Sequence, residues 1–195
     1  MITEQYNQLF NDYAVVGRDE AAERAKWMAE GIMESDRKSK GRDYSQVYKN
    51  TLDGVICEMG IASLSKGKAN EQKFVLQDRD TYAWDVLSAF NHKLEVKKHK
   101  DKWFSFYPGN ILTMLNNISS NRFDYIVTAS WYEALDHYVV YPRLLINPKT
   151  FQRYISRSNF NTSCYYNHRS SAADNQCIIF NEDAISRLQN TQYVV

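Results

Sequence analysis

Apolar and polar positions alternate with two different periods along this chain, and the changes of period divide it into elements. From Arg18 to about Asp36, Ala21, Ala22, Ala25, Met28 and Ala29 fall on one side of a 3.6-residue spiral, and Asp19 and Glu20 suit the first turn of a helix. A second helix is predicted over 44–64, where Tyr48, Leu52, Val55, Met59 and Ala62 recur at helical intervals. Gly54 and Gly60 weaken it but allow close approach to a neighbour.

The pattern then shortens to strands, over 73–77, 81–87 and 93–98. The aromatic run 103–107 is expected to continue the same sheet. Pro108-Gly109-Asn110 reads as a turn, followed by a short helix marked by Ile111, Met114, Leu115 and Ile118. Residues 123–130 form a strongly apolar strand. Residues 137–146 are strand-like but interrupted by Pro142, which suits an edge or a bend. Residues 148–155 look helical, with Pro148 at the start. A last strand covers 177–180, and Asn181 is placed to cap a helix over 182–188. The polar segment 158–175 is the least structured part of the reading.

This order predicts a mixed α/β fold, a central mixed sheet flanked by helices. The 195 residues suit a single domain, in which 1–43 form a helical N-terminal extension. With 44% hydrophobic residues, a sizeable core is available. No apolar run reaches membrane-spanning length, and the first ten residues lack a secretory pattern, so a cytoplasmic protein without membrane attachment is expected. Cys57, Cys164 and Cys177 have no metal-like spacing and read as buried free thiols.

Net charge is +1, but its distribution is uneven. Residues 91–102 carry Lys93, Lys97, Lys98, Lys100 and Lys102 against Glu95 and Asp101. Residues 141–173 carry Arg143, Lys149, Arg153, Arg157 and Arg169 and no acid. A polyanion held on one face fits this polarity, and so does ordinary solvated surface.

Chemistry concentrates at Asp85, Glu95 and Lys97. On a strand, Glu95 and Lys97 share one face while Leu94 and Val96 turn to the core. Pairing the two strand segments side by side brings Asp85 next to Glu95. Two carboxylates and the Val96 carbonyl form a ligand set for a hard cation such as Mg²⁺, for which Mn²⁺ is expected to substitute. Such an ion offsets charge on a phosphate and activates water. Lys97 beside it suits positioning and electrostatic work more than that of a free base. Glu58, on the second helix close to its apolar side, needs a partner to be buried there and can bind the metal or its water.

With G-V-I-C-E-M-G-I-A around Glu58, A-W-D-V around Asp85 and L-E-V-K-K around Glu95 and Lys97, the chain resembles the restriction-endonuclease-like PD-(D/E)xK nuclease superfamily. Nine residues separate Asp85 from Glu95, as in that family's short hairpin, and Trp84 replaces the proline of the motif's name. The resemblance implies a restriction-endonuclease-like core over 44–146. It also implies Mg²⁺-dependent hydrolysis of DNA leaving 5′ phosphates, and a homodimer.

Among the remaining polar residues, Lys98, Lys100, Lys102, Arg143 and Arg169 are candidate DNA contacts, with Tyr165, Tyr166 and His168 beside the last. His92 and His99 flank the E-V-K strand, His99 reading as a surface histidine before a phosphate contact, and Tyr82, Trp84 and Trp103 read as core or sheet cover before base-stacking platforms. The expected function is a DNA endonuclease. The alternatives are an exonuclease or structure-specific resolvase on the same core, a nucleic-acid-binding protein that does not cut, and a degenerate nuclease fold serving in protein assembly.

Overall fold

The computed structural model describes residues 2–34, 41–71, 84–99, 104–106, 108–157 and 164–183. The expected strand over 73–77, the start of that over 81–87, Tyr82, Lys100, Lys102, Trp103 and most of the helix over 182–188 lie outside them. The described elements are α1 (Ile2–Phe10), β1 (Ala14–Gly17), α2 (Arg18–Met33), α3 (Tyr44–Leu64), β2 (Lys68–Ala69), β3 (Val86–Leu87), β4 (Lys93–Lys98), β5 (Phe104–Phe106), α4 (Pro108–Ser119), β6 (Tyr125–Glu133) and β7 (His137–Ile146). A 3-10 helix (Pro148–Tyr154), β8 (Ile155–Arg157), β9 (Cys164–Tyr166), α5 (His168–Ala173) and β10 (Cys177–Ile179) follow.

The main sheet runs β1-β7-β6-β4-β3-β2, with β10 also paired to β7. β4 and β6 are parallel and the other pairs antiparallel, so α4 lies in the crossover between β4 and β6. β6 takes one side of β7, while β1 and β10 share the other, end to end. β7 is therefore interior. Its Pro142 sits at a bulge instead of the edge: Thr128 pairs with Leu144 and Ala129 with Pro142, leaving Arg143 as the extra residue.

Alternation along the strands separates two cores. Leu94, Val96, Val127, Ala129, Val140 and Leu145 join Tyr6, Phe10, Ala21, Ala25, Val55 and Ile61 of α1, α2 and α3 on one face. Ile126, Leu144 and Ile146 join Met114, Phe151 and Tyr166 on the other. The mixed α/β fold class and a central sheet flanked by helices thus stand.

α3 starts where Asp43 accepts a hydrogen bond from the Gln46 amide at 2.8 Å. It crosses β7 closely at Gly60, where an added Cβ would lie 2.6 Å from Val140 side-chain atoms. At the turn after it, a Cβ on Gly67 would lie 2.2 Å from the Leu87 carbonyl oxygen, so β2 and β3 meet only over glycine. Among the described residues no helix is long and apolar enough to cross a membrane.

Several expectations change. The N-terminal extension, expected as helical, also carries the strand β1, which joins the main sheet. β5 belongs to a separate small sheet, β5-β9-β8, so the aromatic run does not continue the main one. The polar segment over 158–175 contains β9 and α5, held by core packing of Cys164 and Tyr166. Asn181 has positive φ and donates its side-chain amide to the Phe10 and Pro142 carbonyls, tying the end of the described chain to α1 and β7.

Candidate active site

Hairpin pairing of β3 with β4 matches Val86 to Leu94 and Leu87 to Lys93. It carries Asp85, one residue ahead of β3, alongside Glu95. The Asp85 amide donates to the Leu94 carbonyl at 2.9 Å, and its Oδ2 accepts from the Val96 amide at 2.7 Å. Backbone therefore fixes this carboxylate on the strand that carries the other two groups.

Leu94 and Val96 pack with α3, so strand alternation turns Glu95 and Lys97 to the other side of β4. The Lys97 Nζ is 2.6 Å from Glu95 Oε1 and 3.5 Å from Asp85 Oδ2, and it donates to the Val96 carbonyl at 3.0 Å. Three oxygens thus converge on one ammonium group, and they are the oxygens named from the sequence as cation ligands. Glu95 is 8% exposed, whereas Lys97 keeps 37% of its side chain accessible. Burial, then the Asp85 charge, pushes the Glu95 carboxyl above the usual range against the pull of Lys97. Burial opposes the charge on Lys97, but Glu95 and Asp85 outweigh it and hold its pKa above the lysine range.

Glu58 approaches from α3, where its side chain is 13% exposed. Its carboxyl is also pushed up, by burial first and the Asp85 charge next, while Arg24 pulls it down. Arg24 Nη2 is 3.9 Å from Glu58 Oε2 and donates to the Asn70 carbonyl at 2.7 Å. Asn70 in turn donates its amide to the Asp85 carbonyl at 2.7 Å and its Nδ2 to the Trp84 carbonyl at 3.0 Å. Neither Arg24 nor Asn70 stands out in the sequence. Arg24 is one polar residue beside an alanine stripe, and Asn70 follows a two-residue strand.

This donor chemistry fits a hard cation. Two carboxylates and a carbonyl already surround a positive charge, and burial, then the Asp85 charge, raises the proton affinity of Glu58 and Glu95. Among the described residues no group of three or more His, Cys, Asp or Glu side chains gathers to hold a metal alone. The groups that could hold such an ion are Asp85, Glu95 and the Val96 carbonyl, with Glu58 behind them.

The other candidates are scattered. Lys98 faces α3, paired with Asp53 at 2.8 Å and over the Trp131 ring at 4.7 Å, so it lies on the opposite face from Glu95. Arg143 is buried at the bulge instead of lying near an edge, and its Nη1 donates to Ser130 Oγ at 3.3 Å. His99 is no surface residue: it is 3% exposed and its Nδ1 is 3.0 Å from Thr128 Oγ1. Burial, Arg143 and His168 lower its pKa to about 3. His92 is tied to the Tyr6 hydroxyl at 3.0 Å. Arg169 is exposed on α5, Tyr165 is half-buried, and Tyr166 is fully buried with its hydroxyl on Ser171. Trp84 packs at the margin of the second core.

Residues 3–168 match the family model described as Bacteriophage T4 endonuclease IV, a span that includes Glu58, Asp85, Glu95 and Lys97. No curated protein matches the chain.

Proposed function

The chain belongs to the bacteriophage T4 endonuclease IV family, and from that premise we propose that it is a Mg²⁺-dependent DNA endonuclease with a site of the PD-(D/E)xK kind. The observation that carries the proposal is the convergence of Asp85, Glu95 and the Val96 carbonyl on the Lys97 ammonium group. A glutamate is almost never buried unless paired, and Glu95 is buried with Lys97 as its partner.

Asp85, Glu95 and the Val96 carbonyl would hold the ion, and Glu58 its water. Bound there, the ion supplies Lewis acidity at the scissile phosphate. Without the ion, Glu95 and Asp85 outweigh burial and hold Lys97 protonated, and we assign it the positioning role on its geometry, its Nζ lying against both carboxylates. It therefore orients the attacking water and offsets charge on the phosphate instead of taking a proton. Water adds to phosphorus and gives up a proton to solvent, the bond to the 3′ oxygen breaks, and that oxygen takes a proton from solvent. The products are a 5′ phosphate and a 3′ hydroxyl. Arg169, exposed on the second-core side, suits contact with the backbone of the same strand.

The test is cleavage of supercoiled, linear duplex, single-stranded and branched DNA, and of RNA, with Mg²⁺, Mn²⁺ or chelator. Metal-dependent linearisation of circular DNA is expected, and cutting from ends alone points to an exonuclease. Lys97→Ala should lose about 100-fold or more in cleavage rate while DNA affinity changes only a few-fold. Unimpaired cleavage by that variant, or undiminished cleavage in chelator, overturns the proposal.

A further inference from the structure

We infer that Arg24 is a positioning residue of this site, supplied by α2, and that it holds Glu58 and the approach to Asp85 in working geometry. The inference rests on the nuclease reading above and adds to it a group from the N-terminal extension.

Three observations carry it. First, one guanidinium nitrogen serves two parts of the site: Arg24 Nη2 donates to the Asn70 carbonyl at 2.7 Å and stands 3.9 Å from Glu58 Oε2. Second, Asn70 passes that hold to the chain at Asp85 through two hydrogen bonds, from its amide to the Asp85 carbonyl and from its side chain to the Trp84 carbonyl. Asp85 is thus held from two sides, by β4 through the Leu94 carbonyl and the Val96 amide and by Asn70 through its own carbonyl. Third, Arg24 is kept at a cost. Its side chain is 17% exposed, and its Nε is buried without a hydrogen-bond partner. An apolar side chain of similar volume would fill the space against α3 without stranding a donor, so packing does not explain an arginine here.

Charge balance points the same way. Glu58, Asp85 and Glu95 crowd three carboxyl groups at the site, and Lys97 supplies one positive charge on the sheet side. Arg24 supplies the second from the helix side, beside Glu58. Ala21, Ala25 and Ala29 let α2 lie close to α3 and put Arg24 within reach.

The experiment compares Arg24→Ala, Arg24→Met and Arg24→Lys with the unaltered full-length chain. Cleavage is measured with Mg²⁺, Mn²⁺ affinity by electron paramagnetic resonance without DNA, and DNA affinity in chelator. Arg24→Ala and Arg24→Met should lower kcat about 10–100-fold and weaken Mn²⁺ binding by a similar factor, with DNA affinity and KM within about 3-fold. Arg24→Lys, which keeps the charge and the stem, should recover part of both losses. Arg24→Met also guards against misfolding, since it preserves bulk and is expected to unfold at or above the wild-type temperature. Wild-type kcat and Mn²⁺ affinity in the folded Met variant overturn the inference. Failure of the nuclease reading looks different: the unaltered chain then shows no metal-dependent cleavage at all.

Discussion

The Lys97 ammonium group stands among the oxygens that would receive a divalent ion, so lysine and metal compete for one set of donors. Lys97→Met should therefore bind Mg²⁺ or Ca²⁺ at least as tightly as the wild type while cutting DNA poorly. The rise in melting temperature on adding the ion, which reports affinity for the folded state, checks this. His99 gives a second prediction. Its folded pKa of about 3 lies below the ordinary histidine value, so the unfolded chain binds the extra proton between them. Its contribution to stability is complete above about pH 6.5 and is lost as pH falls toward 3, by up to ~1.4 kcal/mol per pH unit. His99→Asn should flatten the pH dependence of unfolding by one proton in that window, as read by urea titrations at several pH values. At this scale the hairpin acids and Lys97 were legible, because a period of two assigns a face without any tertiary knowledge. Arg24 and Asn70 were not, since their meaning comes from a contact between segments 46 residues apart.

Among the elements, α3 bears most of the geometry, because it carries Glu58 and crosses the sheet at Gly60. Gly60→Ala drives a methyl group into Val140 and should cost about 1–3 kcal/mol of stability. Asp43→Ala removes the cap and should cost about 1 kcal/mol. Urea unfolding measures both. α2, α3, β4, β6 and β7 could be read from periodicity because each repeats its pattern long enough. Three- and four-residue strands such as β1, β8 and β9 repeat nothing, so they and the small sheet escape the sequence, and β5 is read into the main sheet. Pro142 misled for a physical reason. A missing amide hydrogen suits an edge, but a bulge accommodates it inside a sheet as well.

For the molecule as a whole, the sheet divides labour. One face is sealed by α1, α2 and α3, and the other carries Glu95 and Lys97 beside the second core. The N-terminal extension is part of this structure. Tyr6 and Phe10 are fully buried, and β1 covers half of one side of β7. Deleting residues 1–17 should abolish cooperative unfolding in calorimetry, not merely reduce activity.

The three cysteines, all unpaired and shielded, lend this chain an internal reporter system. Cys57 sits beneath the helical layer, and Cys177 and Cys164 sit on the far side of the sheet. A thiol-selective reagent can then reach each sulfur only when its own layer opens. Labelling rates, resolved by peptide mass, would show whether the two halves of the molecule breathe together or apart, with no dye or tag added.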